Sequence, residues 1–484
     1  MLFRLSKSKL LSGIQCPKRL YLEVHHPELA DQSDGTGRLF ANGHRVGEIA
    51  RQAWPKGRLV EHPFDRTAAL KQTSEMLEGS GSMTLFEAAF QHGGLFARAD
   101  VLSRTRGQCN VVEVKSSGKV TEYHETDAAI QRWVIHNAGY PVKSIAISHI
   151  DTSFVYPGNN RYEGLFKAVD VTEQALEQQT QVPRWISEFR KMLAGKMPRV
   201  AVGPQCTKPF ACPFMDHCHK GQPEYPVEIL PRGGKLIEAL RADGYRDLRT
   251  VPANRIEGTK QKLVWRTTKK GKPEIDPRVR MLARAYAYPR YYLDFEAIQF
   301  AVPIWKGTRP YEQLPFQWSC HMESEGGVST HKEFINVTGE PPMRQFAESL
   351  IAALGQSGAI VVWGSFEGMI LQGLAKRFPD LEVPLMKIAR RINDLLPIAR
   401  SYYYHRDMQG SWSLKLVLPT IAPDLDYSKL DEVQEGGMAQ TAYLEAIDPA
   451  TPLERREKLV NSLRKYCKMD TLALVRIARF FGGS

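Results

Sequence analysis

The chain has 484 residues, of which 43% are hydrophobic and 24% charged, and this composition excludes a wholly disordered or fibrous protein. The length predicts two or three domains. No segment approaches the ~18 consecutive apolar residues of a membrane span, and the N-terminal segment lacks the pattern of a secretory signal. The net charge of +12 favours a polyanionic partner, and seven cysteines, an odd number, favour a reducing cytoplasm over a disulfide framework.

Helix and strand patterns alternate in the N-terminal part of the chain. Residues 43–54 predict a helix because their apolar side chains recur at helical spacing. Residues 95–116 predict two strands joined by a turn, and residues 125–140 predict a helix that ends at Gly139. A third strand is predicted over residues 143–150.

The middle of the chain is rich in positive charge. Residues 221–253 hold a short helical pattern interrupted at Gly244, and residues 254–280 carry nine Lys or Arg against three acidic residues. Such stretches are commonly solvated surface, and contact with nucleic acid is the alternative. The pattern predicts a basic connector.

A second alternation of strands and helices begins near residue 285. Residues 290–298 and 359–365 predict buried strands, and residues 366–378 predict a helix directly after the second of them. Residues 454–481 predict a long amphipathic helix. The chain is therefore expected to be an α/β protein with more than one domain.

Three polar residues on the predicted N-terminal hairpin form the first candidate site. Asp100 lies at the end of one strand, while Glu113 and Lys115 lie two positions apart on the next strand and so share a face. Two carboxylates can hold a divalent metal ion, and an ammonium group can orient water or stabilise a pentavalent phosphate. A surface hairpin with an ordinary salt bridge is the alternative interpretation.

Gln131 follows Asp127 on the next predicted helix, and with this residue the pattern resembles the PD-(D/E)XK nucleases of the RecB type. The resemblance implies a restriction-endonuclease-like fold in which Asp100 and Glu113 ligate a divalent metal ion. Lys115 would lie near the attacking water, and Gln131 near the nucleic acid.

The first predicted helix departs from that resemblance. RecB-type nucleases often carry Gly-x-x-x-His there, with the His as a metal ligand. Here Gly47 stands where that His would be, and His44 is out of register by about three-quarters of a turn. Glu48 is the alternative ligand, and an exposed helical glutamate is the ordinary interpretation of its position.

Four cysteines form the second constellation, one near the N-terminus and three downstream with five residues between neighbours: Cys16, Cys206, Cys212 and Cys218. Their spacing matches neither the close pairs of structural zinc sites nor ferredoxins. One cysteine before and three after the hairpin resembles the iron–sulfur staple of AddB-type and CRISPR-associated RecB-like nucleases, which implies a [4Fe–4S] cluster on these residues. Buried free thiols are the alternative. The others are predicted to be ordinary core or surface residues: Cys109, Cys320 and Cys467.

Carboxylates on three predicted elements form the third constellation. Asp294 and Glu296 lie two apart on a strand and point the same way. Tyr466 and Asp470 lie four apart on one face of the last helix, and Glu367 opens the helix after the second buried strand. Converging carboxylates of this kind can hold two divalent metal ions.

The third constellation resembles the DEDD exonucleases, whose fold is ribonuclease H-like. The resemblance implies a set of ligands for Mg²⁺ or Mn²⁺: Asp294, Glu296, Glu367 and Asp470. It also implies that Tyr466 orients the nucleophilic water. The middle motif departs, since Glu367 stands where those enzymes have Asp, and Asp394 is the alternative ligand.

Both halves together resemble a bacterial family of uncharacterised proteins that join an iron–sulfur RecB-like nuclease to a ribonuclease H-like domain. The matching segments span nearly the whole chain: LSKSKLLSGIQCPKRLYLEVHHPEL, GHRVGEIARQAWPKG, EVKSS, CTKPFACPFMDHC, YYLDFEAI, GSWSLKLVLP and YCKMDTLALV. The expected organisation is a nuclease domain with its staple over residues 1–220, a helical and basic connector over 221–284, and an exonuclease-like domain over 285–484.

The resulting functional prediction is a metal-dependent nuclease acting on DNA, with a preference for single-stranded DNA or DNA ends, in repair, recombination or defence. One alternative is a nucleic-acid-binding or assembly protein in which one or both sites are inactive. An RNA exonuclease is another. The protein is expected to bind nucleic acid in the cytoplasm and no membrane, and the sequence indicates neither protein partners nor cleavage polarity.

Overall fold

The computed structural model describes residues 4–31, 35–79, 81–327 and 329–483, which form a mixed α/β protein. The chain divides into two compact units. Unit 1 comprises Met1–Gly221 and Phe300–Tyr311, and unit 2 comprises Gln222–Gln299 and Glu312–Ser484. The segment predicted as a connector falls within unit 2, and a short segment that follows the first strand of the predicted C-terminal domain falls within unit 1.

Unit 1 is built on a seven-stranded sheet in its described residues. Its strands are β1 (Leu5–Ser6), β2 (Arg58–Leu59), β3 (Met83–His92), β4 (Leu95–Thr105), β5 (Gln108–Lys115), β6 (Val142–Ile150) and β7 (Phe166–Asp170). The sheet order is β2-β3-β4-β5-β6-β7, and β1 pairs in parallel with β4. The pair β4–β5 is the antiparallel hairpin that the sequence predicts.

The helices of unit 1 cover this sheet. They are α1 (Lys7–Gln15), α2 (Pro17–His25), α3 (Gly35–Arg51), α4 (Arg66–Met76), α5 (Glu122–Asn137), α6 (Thr172–Gln178), α7 (Val182–Leu193) and α8 (Met215–His219). Helix α5 crosses from β5 to the parallel strand β6. Ile130 and Val134 on its buried face pack in one cluster with Val111 and Ile145 of the sheet, and this packing fixes the height of α5 over β5.

Unit 2 contains a five-stranded mixed sheet and a two-stranded ribbon. The strands are β8 (Glu274–Ile275), β9 (Arg290–Ile298), β10 (Leu314–Glu323), β11 (Ser329–Ile335), β12 (Ile360–Val362), β13 (Ile392–Asp394) and β14 (Tyr403–Tyr404). The sheet order is β11-β10-β9-β12-β13, in which β9, β10 and β11 are antiparallel and β12 runs parallel to both β9 and β13. Strand β9 is therefore central.

Helices flank the sheet of unit 2. They are α9 (Gly234–Ala242), α10 (Thr259–Lys270), α11 (Arg278–Arg284), α12 (Met343–Ala353), α13 (Phe366–Arg377), α14 (Glu382–Ala389), α15 (Leu396–Tyr402), α16 (Leu414–Val417), α17 (Gly436–Ile447) and α18 (Leu453–Gly482). The long helix α18 packs against β9 and β10 and buries Leu463, Ala473 and Leu474. One side of the central strand is thus covered by the C-terminal helix.

The α/β class and the main predicted elements are confirmed. Strand β9 has the predicted bounds, and α18 lies within one residue of them at either end. In the basic segment, α10 buries Leu263 and Val264, and β8 pairs with β14. Among the described helices, none combines the length and the apolar character needed to cross a bilayer.

Candidate functional site

The hairpin β4–β5 places the first group of polar residues. Val101 pairs with Val112, so that Asp100 and Glu113 occupy the next positions along the two strands. The backbone N–H of Val114 donates to Asp100 Oδ2 at 2.7 Å. Glu113 and Lys115 share a face, as the period of a strand dictates, and Lys115 Nζ lies 2.7 Å from Glu113 Oε1.

Helix α5 adds two residues to this group. Asp127 and Gln131 are one helical turn apart and both are buried. Lys115 Nζ lies 2.5 Å from Asp127 Oδ2, and Gln131 Nε2 donates to Glu113 Oε2 at 2.5 Å. The structure therefore brings together Asp100, Glu113, Lys115 and Gln131. With Asp127 and the lysine described next, we call this group the lysine–carboxylate site.

A second lysine completes the lysine–carboxylate site. Lys7 is the first residue of α1, where β1 pairs with β4 and the Ser6 hydroxyl caps the helix by accepting from Lys9 N–H. Its Nζ lies 2.7 Å from Glu113 Oε1 and 2.9 Å from Asp127 Oδ1. No local spacing predicts Lys7, because more than one hundred residues separate it from its partners.

The charges at the lysine–carboxylate site are unevenly matched. Burial raises the pKa of Asp127, but the ammonium groups of Lys115 and Lys7 outweigh it and hold that pKa below its usual range. Burial and then the negative charge of Glu113 raise the pKa of Asp100 well above its usual range. Asp100 is thus the carboxylate with the most to gain from an additional cation.

A cavity opens beside the lysine–carboxylate site. Asp100, Lys115, Glu87 and Gly47 line it. Glu87 of β3 has a positive φ of 57° and lines this cavity, and burial raises its pKa. Strand alternation alone does not distinguish Glu87, because a glutamate in a strand is most often a surface residue.

The first-helix residues take different positions around this cavity. Gly47 lines it, and a Cβ added there would meet no atom within 4 Å. His44 also lines it, but its Nε2 lies 3.5 Å from Glu48 Oε1 on an exposed part of α3. Glu48 is additionally 3.5 Å from Arg45 Nη1. The carboxylate of Glu48 therefore interacts with His44 and Arg45 of its own helix.

The four cysteines of the second constellation line one small cavity. Cys16 lies between α1 and α2, and the other three lie on the segment that ends with α8. Their sulfur atoms do not form a compact metal-binding group, since among the described residues no three of them come within 4.8 Å of one another. A mononuclear zinc site with sulfurs at ~2.3 Å from the metal would require closer spacing.

The cysteine cavity also carries polar groups suited to thiolates. The backbone N–H of Gly203 donates to Cys206 Sγ at 3.4 Å. Burial raises the pKa of Cys212, and a hydrogen bond from the Phe214 backbone and the charge of Arg19 oppose that rise. Backbone N–H groups and cations of this kind stabilise metal-bound thiolates.

In unit 2, three carboxylates converge where β9 meets α18. Asp294, Glu296 and Asp470 each offer an oxygen, and these oxygens all lie within 4.8 Å of one another. Burial raises the pKa of Asp294 and Glu296 well above their usual ranges, and the charge of Asp470 adds to both shifts. We call these three residues, with Glu367 and Tyr466, the acidic site. The carboxylates of this site repel one another, and a bound divalent cation would relieve that repulsion.

Glu367 lies near the three carboxylates but outside their 4.8 Å group. Its side chain is buried at the start of α13, and Oε2 has no hydrogen-bond partner among the described residues. Asp394, the alternative ligand, instead accepts N–H groups from Gly364 (2.8 Å) and Leu396 (2.9 Å) through Oδ1. An unpartnered buried oxygen at Glu367 fits a metal ligand better than the backbone-capping Asp394 does.

Two further residues contact the ligands of the acidic site. Tyr427 donates to Asp470 Oδ1 at 2.5 Å, and the hydroxyl of Tyr466 also acts to lower the pKa of Asp470. The Cys467 thiol donates to Asp294 Oδ2 at 3.4 Å, so that this cysteine is not only an ordinary core residue as predicted. Cys467 could have been noticed from its place between Tyr466 and Asp470, whereas Tyr427 lies on a short turn without a pattern.

The metal-free acidic site predicts a specific pH dependence. Burial raises the pKa of Glu367 to about 8 from a usual 4.5, so the folded chain keeps a proton that the unfolded chain releases. Glu367 therefore leaves the free energy of unfolding undiminished below pH 4.5 and lowers it progressively as the pH rises through 8. In EDTA, Glu367→Gln should therefore raise the stability of unit 2 at pH 8 by about 2 kcal/mol, or roughly 4–8 °C by calorimetry, and have little effect at pH 5.

Mn²⁺ should cancel much of this difference, since a bound cation keeps the carboxylates ionised without repulsion. Exposed Glu325 provides the matched control, and Glu325→Gln should leave the melting temperature unchanged at both pH values. Equal melting temperatures of Glu367→Gln and wild type at both pH values would contradict the burial of an uncompensated carboxyl group at position 367.

Comparison with known proteins adds little to this geometry. Residues 291–413 match a family described as "Domain of unknown function (DUF2779)". The comparison with curated proteins finds no match. A solved structure titled "Crystal structure of SSO0001" is similar over 40% of this chain and 78% of that chain, with 16% identity and a TM-score of 0.19. At that TM-score the similarity defines neither fold nor function.

Proposed function

We propose that the protein is a metal-dependent nuclease that cleaves phosphodiester bonds in DNA, with one site in each unit. The observation that carries this proposal is the approach of three carboxylate oxygens to within 4.8 Å at the acidic site. Carboxylates this close are costly without a cation, and a site for divalent metal ions on a polyanion-binding protein is the simplest reason to keep them together. The net charge of +12 supports the same partner class.

The ribonuclease H-like fold that the resemblance implies is proposed for unit 2. Its sheet, counted from β9, has the order 3-2-1-4-5, and the first strand carries Asp294 and Glu296. Helix α18 carries Asp470 to the same place, and α13 begins with Glu367. This topology supports the proposal, because acids from separate elements meet at the central strand.

At the acidic site, each residue has a proposed task. Asp294, Glu296 and Asp470 would bind Mg²⁺ or Mn²⁺, and the unpartnered Oε2 of Glu367 would be a further ligand. Divalent ions held there supply activation of water and charge stabilisation at the phosphate. Tyr427 holds Asp470 in position through its 2.5 Å hydrogen bond, and Tyr466 lies beside it to orient the attacking water.

A PD-(D/E)XK fold and a second cleavage site are proposed for unit 1. The proposal is supported by Asp100 and Lys115, which line the cavity, and by Glu113, whose Oε1 lies 2.7 Å from Lys115 Nζ. Lys115 would stabilise negative charge on the phosphate, and Gln131 fixes Glu113 through its amide. Asp100, whose charge is least compensated, and Glu113 would bind the metal ion.

Nucleic-acid binding without cleavage is the second candidate function for unit 1. Lys7 and Lys115 already pair with Glu113 and Asp127, and Gly47 contributes no side chain to the cavity. Carboxylates that are already paired bind a metal ion less readily, so unit 1 would bind DNA without cleaving it. Cleavage of DNA by the chain with an inactivated acidic site would exclude this alternative.

The test of the proposed function is degradation of end-labelled oligonucleotides by the full-length protein. Single-stranded DNA, duplex DNA and RNA of one sequence are incubated with Mg²⁺ or Mn²⁺, and EDTA provides the metal-free control. Metal-dependent degradation of DNA is the expected result. No degradation of any substrate, by protein that binds Mn²⁺, would overturn the proposal, and preference for RNA would replace DNA with RNA as the substrate.

We also propose a [4Fe–4S] cluster on the four cysteines of the small cavity. The four cysteines line one small cavity, and the Gly203 N–H and Arg19 beside them are suited to thiolate ligands. The cluster would join Cys16 to a segment about 190 residues away and so reduce the entropy of the unfolded chain.

Anaerobically purified protein is expected to be brown and to contain iron and acid-labile sulfide. Cys212→Ser should lose both and should lower the melting temperature of unit 1, because the closed loop is lost. Cys320→Ala, a buried cysteine of unit 2, is the matched control and should keep the iron. Stoichiometric zinc without iron or sulfide in the anaerobic wild-type protein would rule out the cluster.

A further inference from the structure

The segment GSWSLKLVLP holds Lys415 at a fixed position in unit 2. Trp412, three residues earlier, is buried, and its indole N–H donates to the Tyr403 carbonyl at 2.8 Å. The indole N–H of Trp363 in turn donates to the Trp412 carbonyl at 3.1 Å. Lys415 lies on the short helix α16, which follows this anchored tryptophan. The position of its backbone is therefore determined by the core.

The side chain of Lys415 extends to the tyrosines of the acidic site. Its Nζ lies 5.4 Å from the ring centre of Tyr427 and 5.1 Å from that of Tyr466. One N–H donates to the Gln434 carbonyl at 2.6 Å. Two aromatic faces and a carbonyl hold an ammonium group firmly, and the other N–H groups can still reach an acceptor.

The charge of Lys415 acts on the metal ligands themselves. Burial raises the pKa of Glu296 and of Asp470, and the ammonium of Lys415 opposes that rise at both residues. Lys415 is only partly buried, so a bound molecule can reach it. A cation that is held beside an acidic metal site and open to solvent is well placed for an anionic substrate.

We propose that Lys415 is a further catalytic residue of the acidic site, where its ammonium binds a non-bridging oxygen of the scissile phosphate and stabilises the charge of the transition state. This inference rests on the proposed nuclease function. In the hydrolysis, a bond forms between the water oxygen and phosphorus while the bond from phosphorus to the leaving oxygen breaks. The water gives a proton to solvent, the leaving oxygen takes one from solvent, and Lys415 keeps its own protons throughout.

A purely structural lysine would behave differently. If Lys415 served only to hold Tyr427 and Tyr466 in place, its removal would disturb Asp470, which both tyrosines contact, and Mn²⁺ affinity and kcat would fall together. A lysine that contacts the phosphate acts mainly on the transition state, so its removal lowers kcat. Removing a positive charge also leaves the affinity for a divalent cation unchanged or higher. The two roles thus predict different combinations of kcat and Mn²⁺ affinity after Lys415 is removed.

The test compares Lys415→Met, Lys415→Arg and the control Lys429→Met in full-length protein carrying Lys115→Met. Lys429 is an exposed lysine of the turn that holds Tyr427. We expect Lys415→Met to lower kcat on single-stranded DNA about 10²–10³-fold, with Mn²⁺ affinity by calorimetry equal to or tighter than that of the parent. Lys415→Arg should recover part of the loss, and Lys429→Met should lose nothing.

Two results would overturn the inference in a parent that cleaves DNA. One is a Lys415→Met protein with parental kcat, and the other is a loss of Mn²⁺ affinity that matches the loss of kcat. Lys415→Arg provides a charged variant in case Lys415→Met melts below the assay temperature, and an arginine variant with the kcat of the control would support phosphate binding. A parent that binds Mn²⁺ but cleaves nothing would overturn the proposed function of the acidic site and this inference with it.

Discussion

Asp294→Asn is expected to lower metal-dependent cleavage by the acidic site about 10³-fold and at the same time to raise the stability of metal-free unit 2. Asp294 lies within 4.8 Å of two other carboxylates, and their charges together with burial raise its pKa. Asparagine has nearly the same shape but removes one negative charge, so the repulsion in the metal-free site decreases. The metal ions lose a charged ligand in the same change. Loss of activity with a gain in stability is typical of a functional site.

The measurement is cleavage of single-stranded DNA in a Lys115→Met background, together with melting temperature in EDTA at pH 8. Asp431→Asn is the matched control, because Asp431 is an exposed residue of unit 2 that pairs with Lys465 and should affect neither quantity. A destabilised Asp294→Asn protein would show that Asp294 is held by structural hydrogen bonds. Undiminished cleavage would show that the acidic site does not bind the catalytic metal.

Local periodicity explains how much of the acidic site the sequence predicted. Asp294 and Glu296 share a strand face, and Tyr466 and Asp470 share a helix face, so each pair follows from the geometry of one element. The meeting of the two pairs depends on how α18 packs against β9, and no spacing within either element contains that information. The prediction that the two pairs meet came from the resemblance to the DEDD exonucleases.

Lys7, Tyr427 and Lys415 were missed for the same physical reason. Each reaches its site from a segment far along the chain, through a parallel strand pair, a short turn and an anchored short helix respectively. A single lysine or tyrosine in such a segment has no period that distinguishes it from a surface residue. Glu367, in contrast, was predicted from the sequence, because it opens the helix directly after a buried strand.

Asp127 was noticed only as a neighbour of Gln131, although it has more contacts to the lysine–carboxylate site than Gln131 has. It accepts from Lys115 and lies 2.9 Å from Lys7. A buried helical aspartate one turn before a buried glutamine is a usable signal, because uncompensated carboxylates are costly in a core. That signal becomes specific only when a lysine is known to face the helix.

Lys115→Met is expected to lower cleavage by unit 1 about 10²–10³-fold, because it removes the cation that stabilises charge on the phosphate. The change should also destabilise unit 1 by about 2 kcal/mol, since Glu113 and Asp127 are both buried and would share Lys7 alone. The double variant Lys115→Met/Asp127→Asn restores the charge balance. It should recover most of the stability and none of the activity.

Both effects are measured in an Asp294→Asn background, where only unit 1 can cleave, with Lys119→Met as the control. Lys119 is an exposed lysine four residues after Lys115, and its loss should leave cleavage and melting temperature unchanged. Recovery of cleavage in the double variant would mean that Lys115 serves only to neutralise Asp127 and does not touch the phosphate. If the Asp294→Asn parent binds DNA but does not cleave it, the second candidate function replaces cleavage for unit 1, because carboxylates already paired with Lys7 and Lys115 then hold no catalytic metal ion.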